Sequence, residues 1–341
     1  IAHACRKLDD LKRGFNWKAL GPALEALAED APSPPLGVIC GAGFEDRTGL
    51  LAKIAERWPL LGNGPSVVER IKDPELFFAE LSRLGIPHPR TVADPAKAGD
   101  GWLAKRQGGA GGSHIVANKA AVRRKAADRV YFQEVVEGRP VSVLFVSAGD
   151  RALVLGFSEQ WAAPTKHSTW RYGGAVQPAE LPAELKARLA EQADQVAAIF
   201  GLKGLGSADF LINGEDAYLL EINPRPGATL DIFDNAADPL LRIHLEAVLE
   251  RRLPDGPLRL SEASAAAIVY ATEPVTVSQT MVWPDWTTDR PMRGDCIDRN
   301  RPICTVSARA RTKVEAKQLV SERISTVLAA CAGQEGGTEW T

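Results

Sequence analysis

Apolar residues fall at two spacings along this chain, and the switches between them mark its elements. Leu20, Leu24 and Leu27 recur at helical spacing within residues 1 to 35, and Glu29, Asp30 and the prolines from Pro32 to Pro35 stop that region. LGVICGAGF (36–44) reads as a short strand entering a glycine turn, Leu50 to Trp58 as a helix, and PLLGN (59–63) as a second strand. Strand, helix, strand predicts a parallel pair with a crossover. From Ser66, Val67, Val68, Ile71, Leu76, Phe77, Leu81 and Leu84 predict helix broken at Asp73-Pro74 and ended by Gly85.

Further along, GWLAKRQGGAGGSHIVAN (101–118) predicts a strand, a glycine turn and a second strand. VYFQEVVEG (130–138) reads as one strand, and residues 140–162 as two strands joined by Gly149-Asp150. Trp170 to Gly174 reads as a polar loop, and residues 181–201 as an amphipathic helix stopped by Gly201. SADFLI and AYLLEIN form a hairpin around Asn213 to Asp216. A helix follows Asp231, and residues 258–341 read as a separate small unit with strands AAAIVYA, TVSQTMVW and RPICTVSA and a closing helix. The expected division is 1–65, 66–257 and 258–341.

The 341 residues suffice for two or three cores, and 45% hydrophobic with 25% charged is ordinary globular composition. A net charge of −2 gives no electrostatic footprint for nucleic acid or an anionic membrane. Five cysteines, Cys5, Cys40, Cys296, Cys304 and Cys331, show no CxxC and no zinc spacing. Together with the absence of a signal-peptide pattern or an ~18-residue apolar run, they predict reduced thiols and a cytoplasmic protein. The chain opens on Ile1 rather than Met, so residues before it are expected to be missing. Trp283, Trp286 and Trp340 read as packing groups.

The hairpin carries the chemistry. Asp209 and Glu221 lie on its two strands, and Asn223 follows Glu221 at the two-residue step that returns to the same face. Two carboxylates and an amide oxygen form a hard-cation set. Arg225 continues the step, with Pro224 and Pro226 holding the segment extended. Solvated acids on an edge strand are the alternative. In the turn after Lys105, Gly108, Gly109, Gly111, Gly112 and Ser113 let backbone N–H groups approach phosphate, or form a flexible hairpin tip. Neither this turn nor GAGFED matches a Walker A loop or a dinucleotide fingerprint.

Asp209 with Glu221-Ile222-Asn223-Pro224-Arg225 resembles the metal-binding hairpin of the ATP-grasp superfamily, the fold of many carboxylate-amine ligases. The resemblance spans about Gly37 to Leu328 and implies a mixed α/β (α+β) fold: an N-terminal α/β domain lacking its first strand and helix, the ATP-grasp domain, and a small β-rich appendage. It implies ATP as nucleotide and Mg²⁺, or Mn²⁺, held by Asp209, Glu221 and Asn223. Lys72 and Lys105 would bind phosphates under the glycine lid, although Lys72 also reads as an ordinary helix lysine. Glu134 and Val136 would take adenine, and Glu137 ribose, although strand-end glutamates also read as solvated. Arg225 would stabilise an acyl phosphate, and Tyr172, Gly173, Gly174 and Asp231 would border the acceptor, although 170–174 also reads as plain surface loop.

The implied reaction activates a carboxylate as an acyl phosphate and joins it to an amine, with small molecules as partners and a homo-oligomer left open. Within the superfamily, EINPRPGATLD, GAGFED, LLGN and PICTV are most similar to ligases that attach glutamate to an amine or pterin in one-carbon coenzyme assembly. An ATP-binding regulatory or structural protein, and an ATP-grasp kinase, are the alternatives.

Overall fold

The computed structural model describes residues 4–8, 14–112, 114–117 and 129–332. Two antiparallel sheets dominate it. The smaller contains β1 (Thr91–Val92), β2 (Trp102–Arg106), β3 (Val116–Ala117) and β4 (Val130–Glu134), in the order β1-β4-β2-β3. The larger has eight strands. These are β5 (Arg139–Ala148), β6 (Ala152–Ala162), β7 (Tyr172–Gln177), β8 (Lys203–Asn213), β9 (Asp216–Asn223), β10 (Ala263–Tyr270), β12 (Thr287–Thr288) and β14 (Pro302–Ala310), ordered β12-β14-β10-β7-β6-β5-β8-β9. A short pair, β11 (Val275–Thr276) with β13 (Cys296–Ile297), stands apart.

Strand alternation explains why the large sheet is buried on both faces. Val141, Val143 and Phe145 of β5 join one core with Leu189, Val196 and Ala197 of the helix Ala183–Phe200. Leu144 and Val146 point the other way, onto Ile232, Phe233 and Ile243. The long helix stops where Gly201 takes a left-handed φ of 68° and returns its N–H to Ala197 and Ala198. Asp73 caps the helix Pro74–Leu84 through Glu75 and Leu76 N–H and ends the preceding helix, Pro65–Lys72, so Lys72 is fixed at a rigid helix end.

Several expectations change. In the N-terminal region the described helix covers Trp17–Glu29, not residues 1 to 35. The two strands expected around residues 36–44 and 59–63 reduce to one parallel bridge, Val38 to Leu60, flanking the helix Thr48–Ala55. Trp170–Gly174 is not wholly loop: from Tyr172 it is β7, because residues 172–176 pair with β6 and 174–177 with β10. TVSQTMVW is strand only at its start, because the hydroxyls of Ser278 and Thr280 bond each other in a turn. Residues after 258 share an apolar cluster under the helix Lys313–Ala332 with Val176 of β7 and Trp161 of β6, and β10 and β14 extend the same large sheet. Trp283 and Trp286 pack against that cluster; Trp340 lies outside the described residues.

Candidate active site

Asp209 and Glu221 are direct cross-strand partners on β8 and β9, as are Ser207 and Asn223. Asp209 is enclosed by three neutral donors: Ser142 Oγ at 2.6 Å, Asn223 Nδ2 at 2.9 Å and Gln160 Nε2 at 3.3 Å. Burial, then the nearby Glu221 charge, pushes its carboxyl up to about 6. Glu221 moves the opposite way. Burial alone would raise it, but Lys72, His114, Lys105 and Arg225 together hold it below the usual carboxylate range. One hairpin thus carries two carboxylates with opposite shifts, set by which one faces the cations.

The cations arrive from three elements. Lys72 Nζ lies 3.4 Å from Glu221 Oε2 and 3.3 Å from Asn223 Oδ1. Lys105 of β2 is buried and donates to Gln133 Oε1 at 2.6 Å; burial depresses its ammonium, against the pull of Glu221 and Asp209. Arg225 Nε donates to Glu45 Oε1 at 2.7 Å, with Nη2 3.5 Å from Asn223 Oδ1. Glu45 is buried and also accepts from the N–H of Gly43 and Phe44. Burial would raise its pKa, but Arg225 and Lys72 overcome that and hold it low.

Asp209, Glu221 and Asn223 offer the oxygen donors a hard divalent ion prefers. A cation already stands among them, since the Lys72 ammonium touches both Glu221 and the Asn223 amide oxygen. The set fits Mg²⁺ or Mn²⁺. It contains two carboxylates and an amide, and among the described residues no three His, Cys, Asp or Glu side chains cluster as a metal group.

Beside the hairpin, a cleft of about 360 Å³ is lined by Lys72, Arg106, Gly108, Gly109, Tyr131 and Glu221, among others. The glycine turn covers it and is docked rather than hanging free: Tyr172 N donates to Gly111 O at 3.0 Å. Close packing also explains the glycines. A Cβ on Gly112 would collide with the Trp170 carbonyl, and one on Gly109 with the His114 ring. Ser113 lies outside the described residues.

Other expected residues separate from this cluster. Glu134 turns away: successive residues of β4 face opposite sides, so Gln133 meets Lys105 while Glu134 pairs with exposed Arg90 at 2.9 Å. Val136 is half-buried and Glu137 exposed in the segment after β4. Gly173 and Gly174 sit in β7 against Trp161, where a Cβ would clash, so they pack rather than present a loop. Tyr172 begins that strand, its phenol pushed up by burial and then by Asp209. Asp231 opens the short helix Leu230–Phe233 near Asp234 and Asp289; burial and then these two acids raise it to about 6.

Sequence reasoning missed Glu45, Gln133, Ser142, Gln160 and His114. Two of them carried a signal. Gln133 is the inward neighbour of Glu134 by strand alternation, and Glu45 lies in GAGFED, which was read for its glycines alone.

Three kinds of likeness bear on this geometry. Residues 71–229 match the family model described as the ATP-grasp domain. The chain is 29% identical over 262 residues to a carbamoyl phosphate synthase large chain of Deinococcus deserti, covering 70% of this chain and 25% of that protein. It therefore spans about a quarter of that relative's length. Among solved structures, an L-amino acid ligase from Bacillus licheniformis superposes with a TM-score of 0.66 at 15% identity, over 91% of this chain and 84% of the other. A biotin carboxylase–β,γ-ATP complex from Campylobacter jejuni gives a TM-score of 0.66 at 15% identity, over 87% and 76%. These two likenesses establish a shared fold.

Proposed function

This chain carries an ATP-grasp domain at residues 71–229, and on that premise we propose that it is an ATP- and Mg²⁺-dependent carboxylate-amine ligase. The observation that supports this most is the convergence of Lys72, Arg225, Glu221, Asn223 and Asp209 in one hydrogen-bonded group beside a glycine-covered cleft. ATP and a carboxylate repel each other, and a set of fixed cations beside a divalent-ion site offsets that repulsion. The bound ion supplies charge neutralisation on the phosphates.

In this reading the glycine turn closes over the phosphates with the backbone N–H groups of Gly108, Gly111 and Gly112, the Gly109 N–H being bonded to Arg106 O. Lys105 and Lys72 hold the phosphates, and Asp209, Glu221 and Asn223 would hold the divalent ion. A substrate carboxylate oxygen attacks the γ-phosphorus, the bond to the β-phosphate oxygen breaks, and ADP leaves. An amine nitrogen then attacks the acyl carbon, loses its proton and expels phosphate, forming the amide. Arg225, oriented by Glu45, faces the negative charge that develops in both steps. No protein nucleophile is needed. The domain division at about 66 and 258 belongs to the same proposal, with the appendage sharing the large sheet.

Likeness to a carbamoyl phosphate synthase and an amino acid ligase supports acyl-phosphate chemistry without naming the acid. The resemblance to glutamate-attaching ligases puts glutamate on the panel to be assayed. The test is Mg²⁺-dependent ADP release across acids and amines, with hydroxylamine present. A hydroxamate supports the ligase; ADP without amide or hydroxamate supports a kinase; nucleotide binding without ADP across the panel supports a binding protein.

A further inference from the structure

An apolar cleft of about 420 Å³, its opening to solvent included, lies beyond Arg225, and none of Asp209, Glu221 or Asn223 lines it. Its walls are apolar: Val38, Phe44, Leu51, Leu60, Val68 and Pro226 contribute most of them. The polar groups it touches are already engaged. Asn63 bonds the backbone of Lys203 and Pro224, and His244 bonds Leu205 N and Leu61 O. Glu45 is held by two backbone N–H groups and Arg225. Cys40 is an uncharged thiol, pushed up to about 11 by burial and then by Glu45.

The exception is Arg225 itself. Its guanidinium donates to Glu45 through Nε, to Pro226 O through Nη1 and to Asn223 Oδ1 through Nη2. A guanidinium has five N–H groups, so two lack an acceptor among the described residues. Cation donors at the mouth of an apolar chamber define a ligand with an anionic head and a hydrocarbon body.

We propose that this cavity binds the hydrocarbon body of a monocarboxylate substrate, whose carboxylate is held by the unpaired N–H groups of Arg225 at its edge. The inference rests on the carboxylate-activating reading and narrows it to an apolar acid. A carboxylate clamped there stands next to Asn223, where the transferred phosphoryl group would arrive. A second carboxylate on the same substrate would enter apolar walls whose polar side chains, the weakly donating Cys40 thiol apart, are already bonded, and lose its hydration largely uncompensated.

The test titrates propionate, butyrate, pentanoate, hexanoate and glutarate into the full chain with Mg²⁺ and a non-hydrolysable ATP analogue, by calorimetry. The dissociation constant falls about fourfold for each added methylene, the ratio expected for burying one CH₂. Glutarate binds at least ~10-fold more weakly than pentanoate. Cys40→Phe and Leu60→Trp fill the cavity from different walls, and each ends the gain at a shorter acid, with folding checked by thermal melting. A dissociation constant independent of chain length, or glutarate as tight as pentanoate, overturns the proposal. Because this readout needs no turnover, the two readings separate. Length-dependent binding without ADP release keeps the cavity assignment and removes the ligase; ADP release with charged acids and no length dependence does the reverse.

Discussion

Glu45 and Arg225 are 180 residues apart in sequence and form the most enclosed ion pair of the site, with side chains 4% and 14% exposed. Glu45 touches no reacting atom in the proposed reaction, so it acts by fixing the plane of the guanidinium. Glu45→Gln keeps the shape and removes the charge. A charge-assisted hydrogen bond is worth about 1.5–3 kcal/mol, so kcat/KM for ADP release should drop by about 10-fold or more. Glu45→Asp should recover part of that loss, as a purely structural residue would not. Glu221→Gln removes a charge from the ion site and should lower ADP release by about 100-fold or more, measured by a coupled assay with a melting control. Full activity in that variant would end the metal-site assignment.

At this scale the juxtaposition of Asp209 with Glu221 was legible because a strand's two-residue period fixes which side chains share a face, and the two residues are cross-strand partners. Glu45 was not. Its role depends on a loop from the N-terminal region folding back onto Arg225, and no local pattern encodes a contact of that separation. Glu134 lies apart from the cluster for a different reason: successive residues of a strand face opposite sides, and Gln133 holds the inward position.

Among the elements, the helix Leu240–Leu245 ties the N-terminal region to the large sheet through one side chain. His244 is 1% exposed, accepts from Leu205 N at 2.9 Å through Nδ1, and donates from Nε2 to Leu61 O at 2.9 Å. That pattern requires the neutral ring, and burial lowers its pKa despite the pull of Leu61. The unfolded chain therefore takes up a proton below about pH 6.5 that the folded chain refuses. Stability is full above that pH and falls as pH drops below it. Between pH 7 and 5.5 the native protein should lose more stability than His244→Gln, read from denaturant midpoints. Identical losses would mean that the folded ring protonates freely.

Element types were largely readable from periodicity, including the capped break at Asp73-Pro74 and the hairpin turn after Asn213. Of the misread elements, β7 owes its state to β10, far away in sequence, whereas the stretch after Thr276 is turned by a local bond between Ser278 and Thr280. Glycines mark the same tertiary demand. Gly156 of β6 faces Phe233, where a Cβ would collide, so Gly156→Ala should cost about 1–3 kcal/mol, measured by chemical denaturation. A change within a few tenths would show that Phe233 can move aside.

For the whole molecule, the large sheet is the frame that makes the site. Its edge strand β9 carries Glu221 and Asn223, its neighbour β8 carries Asp209, and the far edge is built from residues after 258. Val176 of β7 packs in one cluster with Ala265 and Val306, so the C-terminal strands shield the sheet that positions the hairpin. Among the described residues, no helix is long and apolar enough to cross a membrane. That the sheet is continuous was not legible: residues 258–341 read as a separate small unit, and only strand pairing reveals that β10 bonds β7.

The central claim is that this framework moves the γ-phosphoryl group of ATP onto a carboxylate. The most direct measurement incubates the protein with ATP, Mg²⁺, hydroxylamine and a panel of carboxylates, and quantifies ADP and hydroxamate together. The account predicts equal amounts of both with at least one acid, no product without Mg²⁺, and loss of both in Glu221→Gln. ADP formed without hydroxamate for any acid, or in amounts independent of Glu221, would contradict it.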